Sequence, residues 1–589
     1  MCGIAGIMTV DNKTPDITLL NSLEKALLHR GPDSTGRYIK NNVGLIHTRL
    51  AIIDLISGNQ PLFDSRNCAL IANGEIYNDI ELRKQLLSNT HLQTRSDCEP
   101  ILHLYDKYGL DTAHYLRGMY ALALYDLDNK NLVLSRDPFG IKQLYYIETP
   151  NCFAFASEPQ ALIAAGLIKA EPSRDKISEL LQLQFTTGKE TIFSGIRRLL
   201  PGETLCLADG QIRTSKMIDA LPKNGTLQIS EEEALSHLDN ILMDSINVHQ
   251  RSDVPYGLFL SSGIDSAAIL TCMTRLNTNP VQAYTACFPK TTVHDEYEEA
   301  HKLAKTMGAH HIKVEVTSSD FLRYLPKIVA CVDDPTADYA IIPTYLLARE
   351  AAKDVKVILC GEGGDEIFAG YSRYKRQIRP WWLMGRQRRR TGPFSGRDIL
   401  FEEPKNWRDG IASSEITNTL PGRSKLQIAQ AIDFTDWLAH SLLIKLDRCL
   451  MAHGLEGRTP LLDQTVSNFG FGLPQNLKLN RGLGKYLMRR WLKKHVCNSK
   501  AFSRKKGFTV PVNDWIFMNG EKLGPLVAND PAIMEIASVN KVISIFSSHD
   551  RHYLEMAWRL LFFALWHRRH IRGIKPDGDV FECLAHPLG

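Results

Sequence analysis

Several groups of residues in this chain carry reactive chemistry. Cys2 follows Met1 directly, so removal of Met1 would leave a thiol beside a free α-amine. An α-amine titrates at about pH 8, so part of it is unprotonated at neutral pH and able to take a proton from its own side-chain nucleophile. Gly3 and Gly6 allow close approach of backbone to a ligand, and Ile4 and Ile7 read as the start of a buried strand. Farther on stand Arg49, the run Asn73-Gly74-Glu75-Ile76-Tyr77-Asn78, and Ser96-Asp97-Cys98-Glu99. The second half holds two loops of another kind. Ser261-Ser262-Gly263-Ile264-Asp265-Ser266 offers small residues, hydroxyls and one carboxylate, and Gly361-Glu362-Gly363-Gly364-Asp365-Glu366 offers carboxylates on a glycine-rich turn.

An amide hydrolase acting on glutamine needs a nucleophile, an oxyanion hole, an anchor for the substrate carboxylate and an acid for its α-ammonium. Cys2 supplies the first, and the Asn73 side-chain amide with the Gly74 N–H the second. Each such donor is worth about 10²–10³ in rate. Arg49 suits the carboxylate as a bidentate partner, and Asp97 with help from Glu75 suits the ammonium. Each piece also has a plain reading: Asn-Gly as a hairpin turn, Ser-x-x-Glu as a capping box, a lone Arg as a surface residue. In the second half, Ser261 to Ser266 could cradle a phosphate at a helix N-terminus, or be a plain small-residue cap. Neither loop is a P-loop or a dinucleotide fingerprint.

The elements that must position these groups fall into two patterns. Up to about residue 216, short apolar runs alternate with polar turns: Val43 to Ile46, Cys68 to Ile71, Tyr120 to Leu124, Leu132 to Leu134 and Phe153 to Ala156. Helices are expected at Ile17 to Leu28 and Glu99 to Tyr108, and a last hairpin at Glu203 to Leu207 and Gln211 to Ser215. A polar connector and the capping box Ser230 to Glu233 then open a helix. Beyond it, strands at Val254 to Leu260, Val281 to Phe288, Ile312 to Val316 and Val355 to Cys360 alternate with helices from Ser266, over Asp295 to Met307 and over Ile342 to Lys353. That alternation predicts a parallel sheet with ligands beyond the carboxyl ends of its strands. Two domains follow, 1–216 and 217–589.

Bulk composition narrows the class. With 44% hydrophobic and 23% charged residues the chain is of ordinary globular type, and 70 basic against 65 acidic residues is too balanced for a polyanionic partner. Nucleic acid is therefore not an expected partner. No apolar run reaches membrane-spanning length and no signal peptide is evident. The 12 cysteines include no C-x-x-C pair, against a zinc ribbon or a disulfide framework, and the reducing cytoplasm is the expected compartment.

The first half resembles the class II glutamine amidotransferase domain, an N-terminal-nucleophile (Ntn) hydrolase. The pieces are Cys2-Gly-Ile-Ala-Gly, Arg30-Gly-Pro-Asp, Arg49-Leu-Ala-Ile-Ile-Asp54, Asn73-Gly-Glu-Ile-Tyr-Asn78 and Arg136-Asp-Pro-Phe-Gly-Ile-Lys142, in the family's order. The resemblance implies an αββα sandwich, a Cys2 thioester, and a glutamine pocket of Arg49, Leu50, Ile52, Ile53, Asn73, Gly74, Glu75 and Asp97. The second half is similar to the synthetase domain of glutamine-hydrolysing asparagine synthetases, a parallel-sheet ATP pyrophosphatase of the adenine nucleotide alpha hydrolase type. Ser261 to Ser266, Gly361 to Tyr371, Glu456-Gly-Arg-Thr-Pro-Leu-Leu-Asp463 and Ser503 to Phe508 carry this likeness. It implies that Leu260, Ala286, Cys360 and Gly361 line adenosine, and that Ser261, Ser262, Gly263, Ile264, Asp265 and Ser266 hold ATP phosphates. Asp265 and Asp365 would bind Mg²⁺, and Glu362 would take a proton from attacking ammonia. A lysine of the last motif, Lys505 before Lys506, would stabilise the α-phosphate. The order of the domains implies an enclosed passage for ammonia, because ammonium has no lone pair with which to attack.

Three departures stand out: Ser262 where the loop usually has Gly, Cys360 where Ser is usual, and eight basic residues from Arg373 to Arg390 around Trp381 and Trp382. That basic run reads as a solvated face, or else as a site for an anionic acceptor. The expected activity is ATP-dependent amidation of a carboxylate, aspartate ahead of sugar acids, through an acyl-adenylate. The phosphoribosyl pyrophosphate and sugar-isomerase relatives of the first domain lack counterparts in the second half. A non-catalytic scaffold would show degraded sites, and a homodimer is left open.

Overall fold

The computed structural model describes residues 2–223, 225–291, 293, 295–380, 382, 391–497, 499–503 and 509–587. Two six-stranded sheets stack in the first half. One runs Arg197–Arg198, Tyr145–Glu148, Cys152–Ala156, Gly3–Thr9, Val43–Arg49, Ser34–Lys40; the other runs Gln211–Met217, Glu203–Ala208, Asn131–Arg136, Gly118–Asp126, Ala69–Ile76, Leu62–Phe63. Their pairings are antiparallel. Strand alternation sorts the side chains into layers. Ile4 and Met8 meet Ala69, Ile71, Ala121 and Ala123 between the sheets. Ala5 and Ile7 face outward onto Leu20, Leu23 and Leu27 of the helix Ile17–Leu27, while Leu70 and Ala72 face Ile101, Leu102 and Leu104 of Pro100–Tyr108. The result is the expected αββα sandwich.

Two local readings change. Asn73-Gly74 is no hairpin turn, because both lie inside Ala69–Ile76 and pair with Ala121 and Tyr120. Ser96 to Glu99 forms no capping box. The helix starts with Pro100, and Glu99 instead takes the N–H groups of Gln93 and Thr94. Despite burial, His103 and the Thr94 hydroxyl, and after them those two bonds, hold its carboxyl down at about 2.

The capping box at Ser230 and Glu233 does form and opens the helix Glu231–His249. Beyond it a five-stranded sheet runs His310–Glu315, Gln282–Cys287, Tyr256–Phe259, Val357–Leu359, Glu456–Arg458, with every pair parallel. The last strand has three residues, too few to show a period. Chain beyond Trp515 forms a helical cap, whose longest member, Arg551–His570, buries Trp558 and Trp566. The cap also touches the first domain, where Arg559 donates to the Leu181 carbonyl at 2.7 Å.

The domains share apolar and ionic contact. Leu50, Ile52, Met119, Phe139 and Ile141 of the first belong to one cluster with Leu260, Phe434 and Leu461 of the second. Around it, Arg30 grips Asp447 through both terminal nitrogens at 2.8 and 3.1 Å, and Arg198 grips Asp334 at 2.6 Å. Asp333, Asp334 and Asp338 are spent on ion pairs with Arg448, Arg198 and Lys445, the second of which crosses between the domains. All twelve cysteines are free thiols. No helix among the described residues is long and apolar enough to cross a membrane.

Candidate functional site

Cys2 opens the central strand of the first sheet and is 8% exposed. Its backbone N–H donates to Oδ1 of Asn73 at 3.0 Å, and its carbonyl accepts from Nε of Arg30 at 3.2 Å. Burial pushes the thiol up, and the Leu50 N–H draws it back. Asn73 is fully buried, and its Nδ2 has no hydrogen-bond partner among the described residues. An orphaned buried donor costs about 1–3 kcal/mol, which suits a group kept for an oxyanion. Gly74 is required by approach rather than by turn geometry, since a Cβ there would lie 2.1 Å from the Met119 carbonyl oxygen.

Arg49 is set by its own loop. It donates to Asn59 at 2.8 Å and to the carbonyls of Ile53 and Asp54 at 3.2 and 2.6 Å, and it meets no carboxylate among the described residues. A cation held by neutral acceptors retains its charge for an incoming carboxylate. Asp97 takes the Ile76 N–H at 2.6 Å, and burial pushes its carboxyl up to about 6. Glu75 is met by Arg458 of the second domain at 2.9 Å, a partner the sequence did not indicate.

In the second domain the loop Ser261 to Ser266 follows Tyr256–Phe259 and ends in the helix Ile264–Leu276. Ser261 Oγ accepts from the Gly263 N–H at 3.1 Å. The Ser262 N–H, expected to face a phosphate, donates to Glu296 at 3.1 Å. Leu260 and Ala286 are buried at the ends of adjacent parallel strands. Cys360 is buried at the end of Val357–Leu359, and burial pushes its thiol up, as for a packing residue.

Gly361 to Glu366 folds directly onto the first loop. Gly363 has φ 89°, and Cβ atoms at Gly361 and Gly364 would lie 3.0 and 2.5 Å from Asp265 side-chain atoms. These glycines bring Asp365 close enough for one cation to serve both carboxylates. That cation is Lys485, whose ammonium contacts Asp265 and lies 2.5 Å from Asp365. Burial opposes its charge, but the two carboxylates more than offset this and its pKa is raised. Two carboxylates converging on one cation would fit a divalent metal, whose charge would offset that of bound phosphate. Glu362 is pushed up by burial, while Lys445 draws it down.

Lys505 and Lys506 lie outside the described residues, as do Trp381 and residues 383–390 of the basic run. Arg373 of that run pairs with Asp433 at 2.6 Å and stacks on Tyr371, so it serves the fold. Lys485, Arg30 and Arg458 received no role from the sequence. Lys485 has φ 58° and stands at a helix start after Gly484, a position whose use shows only once Asp265 and Asp365 are brought together.

A buried thiol at the head of a strand in an αββα sandwich, joined to a parallel sheet with a small-residue loop at its carboxyl edge, is the arrangement expected of a glutamine amidotransferase coupled to a synthetase. The glutamine amidotransferase domain model matches residues 1–218 and the asparagine synthase model residues 237–568. Glutamine-hydrolysing asparagine synthetase 1 of Bacillus subtilis is 30% identical, over 97% of this chain and 97% of its own length. A putative asparagine synthetase of Mycobacterium tuberculosis is 31% identical over 92% of each chain, and the amidase chyE of Penicillium rubens 29% over 64% of this chain and 60% of its own. The chain belongs to the asparagine synthase family and is an amidotransferase ligase that carries out glutamine-dependent amidation.

Proposed function

We propose that the chain converts L-aspartate to L-asparagine, using ATP and ammonia released from glutamine. Cys2 attacks the side-chain amide of glutamine. The α-amine exposed on loss of Met1 takes the thiol proton, and Asn73 Nδ2 with the Gly74 N–H receives the oxyanion. Arg49 anchors the substrate carboxylate and Asp97 the α-ammonium, with Leu50, Ile52 and Ile53 shaping the pocket. Ammonia then passes through the apolar contact of Leu50, Ile52, Met119 and Ile141 with the second domain, where exclusion of water keeps its lone pair free.

ATP lies over Ser261 to Ser266, with Leu260, Ala286, Cys360 and Gly361 around the adenosine. Asp265 and Asp365 would hold Mg²⁺, which supplies charge neutralisation on the phosphates. In place of Lys505, Lys485 is assigned the α-phosphate charge as the acceptor carboxylate attacks, since it is the buried ammonium held between the two loops. Glu362, with its raised carboxyl, takes the proton of the attacking ammonia.

The observation that carries this reading is the pairing of the two constellations across one buried interface. Aspartate as acceptor is supported by the names of the relatives that match nearly the whole chain. The test is pyrophosphate release with ATP and Mg²⁺ across a panel of carboxylates, ammonia in excess. Saturable release with aspartate, and amide at its side chain, is the expected result. No release with aspartate beside turnover of a sugar acid or another carboxylate would overturn the acceptor and leave the mechanism.

A further inference from the structure

The short strand Glu456–Arg458 is the edge of the synthetase sheet, yet its charged side chains point into the other domain's site. Arg458 Nη2 lies 2.9 Å from Oε1 of Glu75. Its Nε donates to Glu456 at 2.6 Å, and Nη1 donates to the carbonyls of His249 and Arg251 at 2.9 and 2.6 Å. Arg458 and Glu456 are both 0% exposed and Glu75 is buried with them. The guanidinium is therefore fixed on three sides by its own domain and presents its remaining corner across the interface. The Arg458 carbonyl accepts from the Cys360 N–H at 2.8 Å, which ties the same strand to the expected adenosine loop.

We infer that Arg458 is a positioning residue for glutamine hydrolysis, supplied by the synthetase domain: it holds the Glu75 carboxylate in place beside the α-ammonium pocket. This rests on the reading of Glu75 and Asp97 given above. The charged groups that act on Glu75 include Asp97 from the neighbouring loop and Glu456 and Arg458 from the second domain, and Glu75 in turn acts on Tyr77 and Cys98. One step farther out, Asp79 acts on Asp97, Asp463 on Tyr77 and Cys2 on Cys98. This surrounding is rich in carboxylates. Burial pushes Glu75 well above the usual range and Asp97 up to about 6, and Arg458 works against both. A carboxyl that takes up a proton no longer attracts an ammonium. Without Arg458 both acids would protonate at higher pH, and the pocket would lose its preference for a charged amine. The glutaminase half is thus incomplete until the second domain docks.

The test compares glutamine with glutaramate, which is glutamine lacking the α-amine, as substrates for ammonia release by full-length wild type, Arg458→Met and Arg458→Lys. Both substrates meet the same folded molecules, so the ratio of their kcat/KM values is unaffected by partial unfolding. Wild type should prefer glutamine. Arg458→Met should cut that preference at neutral pH, through KM, by about twofold for a one-unit rise in Asp97 and about tenfold for two units, since an acid raised from about 6 to about 7 is half protonated at pH 7. The preference should return as pH is raised. Arg458→Lys keeps the charge but loses the fork, so it should show a smaller loss of the same pH sense. It carries the test alone if the methionine variant does not fold. Absence of any preference in wild type would overturn the ammonium-pocket reading itself. A wild-type preference that survives unchanged in the variants, or a loss that does not respond to pH, would overturn the role of Arg458 and leave that reading intact.

Discussion

Replacing Lys485 with Met tests the assignment of the synthetase lysine most directly. Its side chain is 4% exposed and lies between Asp265 and Asp365, so the three groups sum to one negative charge. Methionine preserves most of the volume and leaves two facing carboxylates. Removing one partner of a buried ion pair typically costs about 3–5 kcal/mol, because the other charge stays buried and uncompensated. Loss of one preorganised charge-stabilising group from a transition state costs about 2.7–4 kcal/mol, or roughly 10²–10³ in rate. Ammonia-driven pyrophosphate release should therefore fall by about 10²–10³, while glutaminase turnover stays within a few fold. Mg²⁺ should offset part of the stability loss, since a hard cation binds carboxylate oxygens, and a thermal melt with and without Mg²⁺ reads this. Pyrophosphate release close to wild type in the variant, beside a large loss in Lys505→Met or Lys506→Met, would refute the reasoning and restore the lysine of the Ser503 to Phe508 motif.

Three further outcomes follow from the same geometry. Cys2→Ala should abolish glutamate formation yet retain synthesis from ammonium salts, and loss of both activities would show that the two halves do not divide the labour. Asn73→Ala should lower glutaminase kcat by about 10²–10³ with a smaller change in KM, because the orphaned Nδ2 acts on the oxyanion rather than on the ground state. Asp97 must be ionised to hold an ammonium and is pushed up to about 6, so kcat/KM for glutamine should fall as pH drops through that value. A flat profile from about pH 7.5 down to 5 would contradict its role, since an acid of this pKa is mostly protonated at the lower end.

Where a role depended on residue type and on neighbours along the chain, the sequence could be read. The buried strand starting at Ile4 and Ile7, the final hairpin and the alternating second half were all legible, because apolar runs and side-chain periods of 2 and 3.6 are local properties. The parallel sheet followed from them, and with it the edge on which Ser261 to Ser266 and Gly361 to Glu366 both lie. Where a local signal had two physical solutions, tertiary context chose. Asn73-Gly74 has the composition of a hairpin turn, but the ladder with Gly118–Asp126 continues through it. Ser96 to Glu99 has the composition of a capping box, but Glu99 gains more N–H donors from the preceding loop than from the helix start.

By itself, then, the sequence determined the chemistry on offer in each half: a terminal thiol with an amide and a glycine suited to an oxyanion, and two small-residue loops with carboxylates. What only the tertiary structure decided is which charges meet. Lys485 reaches Asp265 across 220 positions of chain, and Arg30 reaches Asp447 across 417. Arg458 crosses from one domain to Glu75 of the other. A buried ion pair leaves no periodicity or composition behind, because its energy comes from desolvated charges held a few ångströms apart and not from the residues beside each partner in the chain. The strand that carries Arg458 is three residues long, so even its secondary structure exists only through its pairing with Val357–Leu359.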